Sequence, residues 1–382
     1  MSFNSSAIRA YFDEADYGNN HWAAWAAGLW VIMVTVMAAQ VIVGIPMVIG
    51  MMSLPRDILE GLEAPSSTAP YQMEAGIAFA IGTLLALISY VVRDNYGKEK
   101  EKTVLSIGGI FALISTVGFF YLMRANSGPE SSAYVNAMLG NSKLIYASML
   151  AIFPIIAGGV YIAQKKLHKR SLRSLHTAAP KYRWGRMFFS MAIFWIIAGL
   201  LSFIGHATGH STMEFVFDPS RFWGFALVSL FFIPLQSATE EIILRGYLNQ
   251  GLSRIIRNPW IVFFITSAGF AALHLGNPEI AQSGLEGNKL ITLSGYFFFG
   301  IFACLLTYID GGLETAIGVH AANNLFAAVI VGYEHSALPT PTLFKIGFNS
   351  DGDVLMTIIG LSLVCLIMYL TRRNTPREAL KT

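Results

Sequence analysis

Charge is what this chain has least of. Only 13% of its 382 residues are Asp, Glu, Lys or Arg, about half the share usual in a soluble domain. Cysteine is nearly absent. The two present, Cys304 and Cys365, both lie inside apolar runs, which excludes a disulfide framework and a thiolate metal cluster. A large charge of either sign is also missing. The formal net charge is +3, and the basic residues gather at the ends of apolar runs instead of forming a patch for nucleic acid. The opening stretch MSFNSSAIRAYFDEADYGNNHW carries Asp13, Glu14 and Asp16 and lacks the basic start and short apolar core of a cleavable signal peptide.

What fills the chain is apolar sequence. The apolar and aromatic share is 54% and the mean hydropathy is +0.54. Runs of about 18 or more apolar residues recur from end to end, each long enough to cross a hydrocarbon core of about 30 Å. The pattern predicts an all-α, polytopic membrane helix bundle of about ten transmembrane helices, near 24–50, 75–92, 103–123, 145–164, 187–205, 222–244, 261–276, 290–309, 313–333 and 353–371. Strands are not expected, because the runs are continuous instead of alternating and an open sheet leaves backbone unsatisfied in lipid.

Of the 26 Lys and Arg, 20 fall on one side of this arrangement: Arg9, the loop from Arg93 to Lys102, the stretch from Lys165 to Arg186, Arg245, Arg254, Arg257 and the tail after span ten. The positive-inside rule then places both termini in the cytoplasm of a multi-pass cell-membrane protein. The stretch from Lys165 to Arg186, with eight basic and no acidic residues, is the best internal boundary. It divides an N-terminal membrane region (1–165) from a basic linker (166–185), a core (186–335) and a final loop, span and tail (336–382).

Ionisable residues inside spans cost about 2.5–3.5 kcal/mol each on insertion scales and point to function. They concentrate in three places: SATEEIILRGY with Glu240, Glu241 and Arg245, FAALHLGNP with Phe270 and His274, and GVHAANNLF with His320 and Asn324. Glu241 and Arg245 are four apart and can pair on one helix face, carboxylate first. Glu240 lies about 100° round the helix and faces elsewhere. A desolvated Glu240 is suited to act as a general base near neutral pH, and His274 can share a water with it. His320 and Asn324, also four apart, can both offer N–H donors to a developing oxyanion. Taken singly, each pattern has a plainer reading: a juxtamembrane ion pair, an interfacial histidine, an interhelical hydrogen bond. Three together, on spans six, seven and nine, point to one shared site.

In that order, Glu240-Glu241-x-x-x-Arg245, Phe270-x-x-x-His274 and His320-x-x-x-Asn324 resemble the signature of the CAAX protease and bacteriocin-processing (CPBP, or Abi) family, which includes the Ras-converting CAAX prenyl endopeptidases. The resemblance covers about residues 185–335. It implies an intramembrane glutamate-type peptidase in which Glu240 and His274 activate water, His320 and Asn324 hold the oxyanion, and Glu241, Arg245 and Phe270 support the site. It implies no cofactor. A zinc version with Glu240, His274 and His320 as ligands stays open, although the HExxH helix motif is absent. So does a catalytically silent scaffold or a transporter. The partners implied are a peptide or membrane-protein substrate and membrane lipid.

A strict up-and-down count puts Glu240 near the cytoplasmic end of span six and His274 near the outer end of span seven. The two come level if the sixth helix continues past Arg245 towards Arg257, with Pro259 opening the seventh. Weaker features are read as local structure. His206 and His210 with Glu214 are a loop coincidence, Asn349, Asp351 and Asp353 form a turn and helix cap, and Asp310 and Glu314, flanking Gly311-Gly312, are solvated charges. Asn323 is a second-choice oxyanion donor.

Overall fold

The computed structural model describes residues 11–55, 129–285, 287–347 and 349–372, with scattered positions between 58 and 114. The expected spans 75–92 and 103–123 fall outside the described residues except at isolated positions. The described helices are α1 (Trp22–Met52), α2 (Pro129–Asn141), α3 (Lys143–Ile162, continued by a π-helical turn at Ala163–Leu167), α4 (Arg173–His176) and α5 (Trp184–Ala207). After them come α6 (Pro219–Glu241, running on through a π-helical stretch Ile242–Leu248 to Ser253), α7 (Pro259–Leu273), α8 (Pro278–Leu285), α9 (Lys289–Asp310), α10 (Glu314–Leu325, ending in a π-helical turn Phe326–Ile330) and α11 (Ser350–Leu370).

Six of these, α1, α3, α5, α6, α9 and α11, are long and apolar enough to cross a membrane, and α7 with α8, bent by 83°, forms a seventh candidate. The protein is a helical membrane protein; the expected count of ten is not reached among the described residues. Side-chain caps set several starts. Ser142, Asp218, Asn258 and Asn349 each accept a first-turn N–H, and Pro219 and Pro259 open α6 and α7.

The helix at the expected span 313–333 differs in kind. Its twelve α-helical residues reach only about 18 Å, well short of a hydrocarbon core of about 30 Å. From Glu314 to Ala322 every residue of α10 is buried. It is a central pillar packed by α5, α6 and α9. Gly318 permits the closest approach: a Cβ there would lie 2.2 Å from the Ser190 hydroxyl and 2.4 Å from the Met187 carbonyl of α5. The Trp195 indole N–H also donates to the Ala322 carbonyl at 2.9 Å.

Two further sequence expectations are corrected. A small sheet is present, with β1 (Met213–Phe215) antiparallel and β2 (Val331–Tyr333) parallel to a central β3 (Phe344–Ile346). Three-residue strands carry too little alternation to be seen in sequence, and lying in connecting segments they need not be closed by lipid. Asp310 and Glu314 are not solvated. The end of the basic linker and the first turn of α5 lie over the turn between α9 and α10, so that Arg186 forks onto Asp310 at 2.8 and 2.9 Å and Arg183 onto Glu314 at 2.9 and 2.7 Å. Gly311, with φ of 67°, supplies the left-handed cap that makes this turn. Asn349 caps α11 as expected, accepting from the Gly352 N–H at 3.0 Å. His206 lies in the last turn of α5 and His210 beyond it.

Residues 11–21 form a strap across the same end of the bundle. Tyr11 donates its hydroxyl to the Leu175 carbonyl at 2.6 Å, Glu14 pairs with Arg173 at 3.2 Å, and Asp16 pairs with Arg254. His168 is buried beneath the strap, between the Asn19 carbonyl at 3.0 Å and the Tyr247 hydroxyl at 2.8 Å.

Candidate active site

The length of α6 brings the first two motifs level. Counted back from Ser253 at about 1.5 Å per residue, Glu240 lies about 20 Å from the loop that joins α6 to α7; counted forward from Pro259, His274 lies about 22 Å from it. The continuation of α6 past Arg245 is what the spacing required. It passes through the π-helical stretch that carries Arg245, a distortion frequent at functional sites.

Glu241 and Arg245 pair at 3.2 Å and both side chains are fully buried. The same Glu241 oxygen accepts Nδ1–H of His320 at 2.7 Å, so α6 and α10 are joined through one carboxylate. The other ring nitrogen of His320 faces Glu240, with Nε2 3.6 Å from Oε2, longer than a hydrogen bond. Glu240 is partly exposed, and its Oε1 accepts from the Gln236 amide at 2.6 Å. Its Oε2 is buried with no hydrogen-bond partner. Asn324 donates Nδ2–H to the Gln236 carbonyl oxygen at 3.0 Å, and its own carbonyl accepts from Asn323 at 3.0 Å.

Phe270 is the apolar centre of the cluster. The Arg245 guanidinium lies over its ring at 4.6 Å, the His274 ring centre is 4.4 Å away, and the His320 ring meets it edge-on at 5.9 Å. His274 caps the end of α7, with Nδ1–H donating to the Phe270 carbonyl at 2.7 Å. That bond leaves Nε2 as the acceptor nitrogen. His274 and Glu240 share no direct hydrogen bond among the described residues. The structure thus gathers all seven motif side chains, with Phe270 between the two histidines.

Three neighbours were not anticipated from sequence. Gln236 sits one turn before Glu240 and bridges it to Asn324. Its signal was available as a polar residue four positions from Glu240 in an apolar run. Tyr296 of α9 stacks on His274 at 4.3 Å and donates its hydroxyl to Glu279, while Asn277 donates to the Tyr296 oxygen at 2.8 Å. Glu279, buried just past His274 in NPE, could have been suspected as a further ionisable residue beside a span. Nothing local marks Tyr296. Among the described residues, no three His, Cys, Asp or Glu side chains converge as a metal-ligand set.

Residues 219–326 match the family model for type II CAAX prenyl endopeptidase Rce1-like proteins. That match supports an Rce1-like domain, of the CPBP type, within this segment of the chain. It begins with α6 and ends as α10 turns π-helical, and it contains all seven motif residues. Over 196 residues the chain is 30% identical to the uncharacterized protein YyaK of Bacillus subtilis (strain 168), a match that covers 49% of this chain and 62% of that protein's length. No solved structure matches. Helix α5 packs on the Rce1-like domain through α10 but lies outside the matched segment.

Proposed function

We propose that the Rce1-like domain is an intramembrane endopeptidase that hydrolyses a peptide bond in a membrane-associated peptide of CAAX-like or leader type. The observation that carries this reading is the free Oε2 of Glu240: a buried carboxylate oxygen with no hydrogen-bond partner, in a cluster that holds the same residue's other oxygen fixed. A buried acceptor left unmade is costly, and this one lies 3.6 Å from Nε2 of His320.

Glu240, assisted by Nε2 of His274, takes a proton from water while the water oxygen bonds to the scissile carbonyl carbon. The second N–H of the Asn324 amide and Nε2–H of His320 receive the oxyanion. Collapse then breaks the C–N bond as the proton passes from Glu240 to the leaving nitrogen. To donate from Nε2 while Nδ1–H binds Glu241, His320 carries both protons. The reaction in this form uses no metal, and the basic end of the bundle, where the strap and linker lie, faces the cytoplasm.

The test compares newly formed protein N-termini in membranes from cells producing wild-type or Glu240→Ala protein at equal levels. Cleavages confined to wild type, and persisting in strong chelator, are expected. Identical N-termini would shift the reading to a scaffold or transporter, and loss in chelator to the metal-dependent form.

A further inference from the structure

Gln236, almost fully buried on α6, holds one amide between two groups of opposite chemical task. Its Nε2–H donates to Glu240 Oε1 at 2.6 Å, and its Oε1 accepts from Asn324 Nδ2 at 3.0 Å and from the Ser237 hydroxyl at 3.0 Å. The orientation of this amide is over-determined. Flipped, it would set its carbonyl against a carboxylate and its N–H groups against two donors. Asn324 is fixed in the same way, because its carbonyl accepts from Asn323. One Asn324 N–H is therefore committed to Gln236 and the other is free.

We propose that Gln236 is a positioning residue that sets the Glu240 carboxylate on α6 and the Asn324 amide on α10 in register with each other. This rests on the peptidase reading above. Glu240 and Asn324 are 84 positions apart in sequence, on separate helices, and one side chain hydrogen-bonds to both. Catalytic groups displaced by about 1 Å lose on the order of 10²-fold in rate. Without the amide between them, the carboxylate and the Asn324 N–H each lose the hydrogen bond that fixes them, and their relative position is no longer set. Gln236 touches neither water nor carbonyl in this scheme; it acts through its two partners.

The test uses the full-length protein, 15N-labelled on side-chain amides, in detergent micelles, with the Asn324 resonance assigned by Asn324→Ala. In an otherwise wild-type chain, Glu240→Gln is expected to shift the Asn324 amide protons. In Gln236→Leu and Gln236→Met, which remove the bridge at similar volume, Glu240→Gln is expected to leave them unmoved. With an internally quenched farnesylated CAAX peptide, both Gln236 variants are expected to lose about 10- to 100-fold in kcat with KM within about threefold. An Asn324 signal that responds to Glu240→Gln equally with and without Gln236 would overturn the proposal, whatever the turnover. An intact relay in a protein with no Glu240-dependent cleavage of any membrane peptide would leave the bridge standing and remove the peptidase reading. Glu240-dependent cleavage with unchanged kcat in Gln236→Met would do the reverse.

Discussion

Glu240 and Glu241 are neighbours in sequence with opposite surroundings. Each keeps one unpartnered oxygen, but Glu241 is fully buried with its other oxygen held by Arg245 and His320, whereas Glu240 is partly exposed with its other oxygen held by the neutral Gln236 amide. Removing one partner from a buried ion pair costs about 3–5 kcal/mol, because the remaining charge is stranded. Arg245→Leu is therefore expected to lower the thermal unfolding midpoint in detergent sharply, while Glu240→Gln leaves it within a degree or two. Equal midpoints for the two variants would mean that the buried pair does not support the fold. The division of labour between the carboxylates was legible in the i, i+4 spacing of Glu241 and Arg245. The role of Gln236 was not, because its second partner, Asn324, lies on another helix, and one sequence does not show which helix faces align.

At the scale of elements, α6 and α10 depart furthest from a simple count of spans. The need for Glu240 and His274 to lie level showed that α6 must run on past Arg245, and the start of α7 at Pro259 was equally readable. The nature of α10 was hidden, since an apolar run of that length reads the same whether it faces lipid or is enclosed by other helices. Asp310 and Glu314 were misread for a related reason: their partners Arg186 and Arg183 sit more than a hundred residues earlier, at the start of α5 and the end of the basic linker. Close packing of α10 on α5 gives a direct test. Gly318→Leu drives a side chain into the Met187 backbone and the Ser190 hydroxyl. Overpacking of this kind costs about 1–3 kcal/mol, and the variant is expected to unfold several degrees lower and to lose cleavage because His320 and Asn324 ride on the same helix. A Gly318→Leu protein with unchanged midpoint and activity would show that α10 is not held against α5.

Across the whole molecule, the strap at residues 11–21 and the basic linker tie together the end of the bundle opposite in character to the site. Burial pushes the His168 imidazole down to about 4 from an ordinary 6.5, with Arg170 adding to the effect and the Asn19 carbonyl opposing it. The closed strap holds the ring neutral, while an opened strap lets it take up a proton near its ordinary value. Its contribution to closure is thus complete above pH 6.5 and is lost progressively as pH falls from 6.5 towards 4. Protection of the amides at residues 11–21, taken against the intrinsic exchange rate at each pH, is expected to fall over that window in wild type and less steeply in His168→Gln. The same loss of protection in both would assign the acid response to the Glu14 and Asp16 pairs instead.

The most direct measurement of the chemistry uses purified protein in lipid vesicles, the peptide identified from cells, and water enriched in 18O. Hydrolysis driven by Glu240 predicts one 18O in the new C-terminal carboxylate, none in the fragment carrying the new N-terminus, and no product from Glu240→Gln. Product formed by Glu240→Gln at the wild-type rate would contradict it.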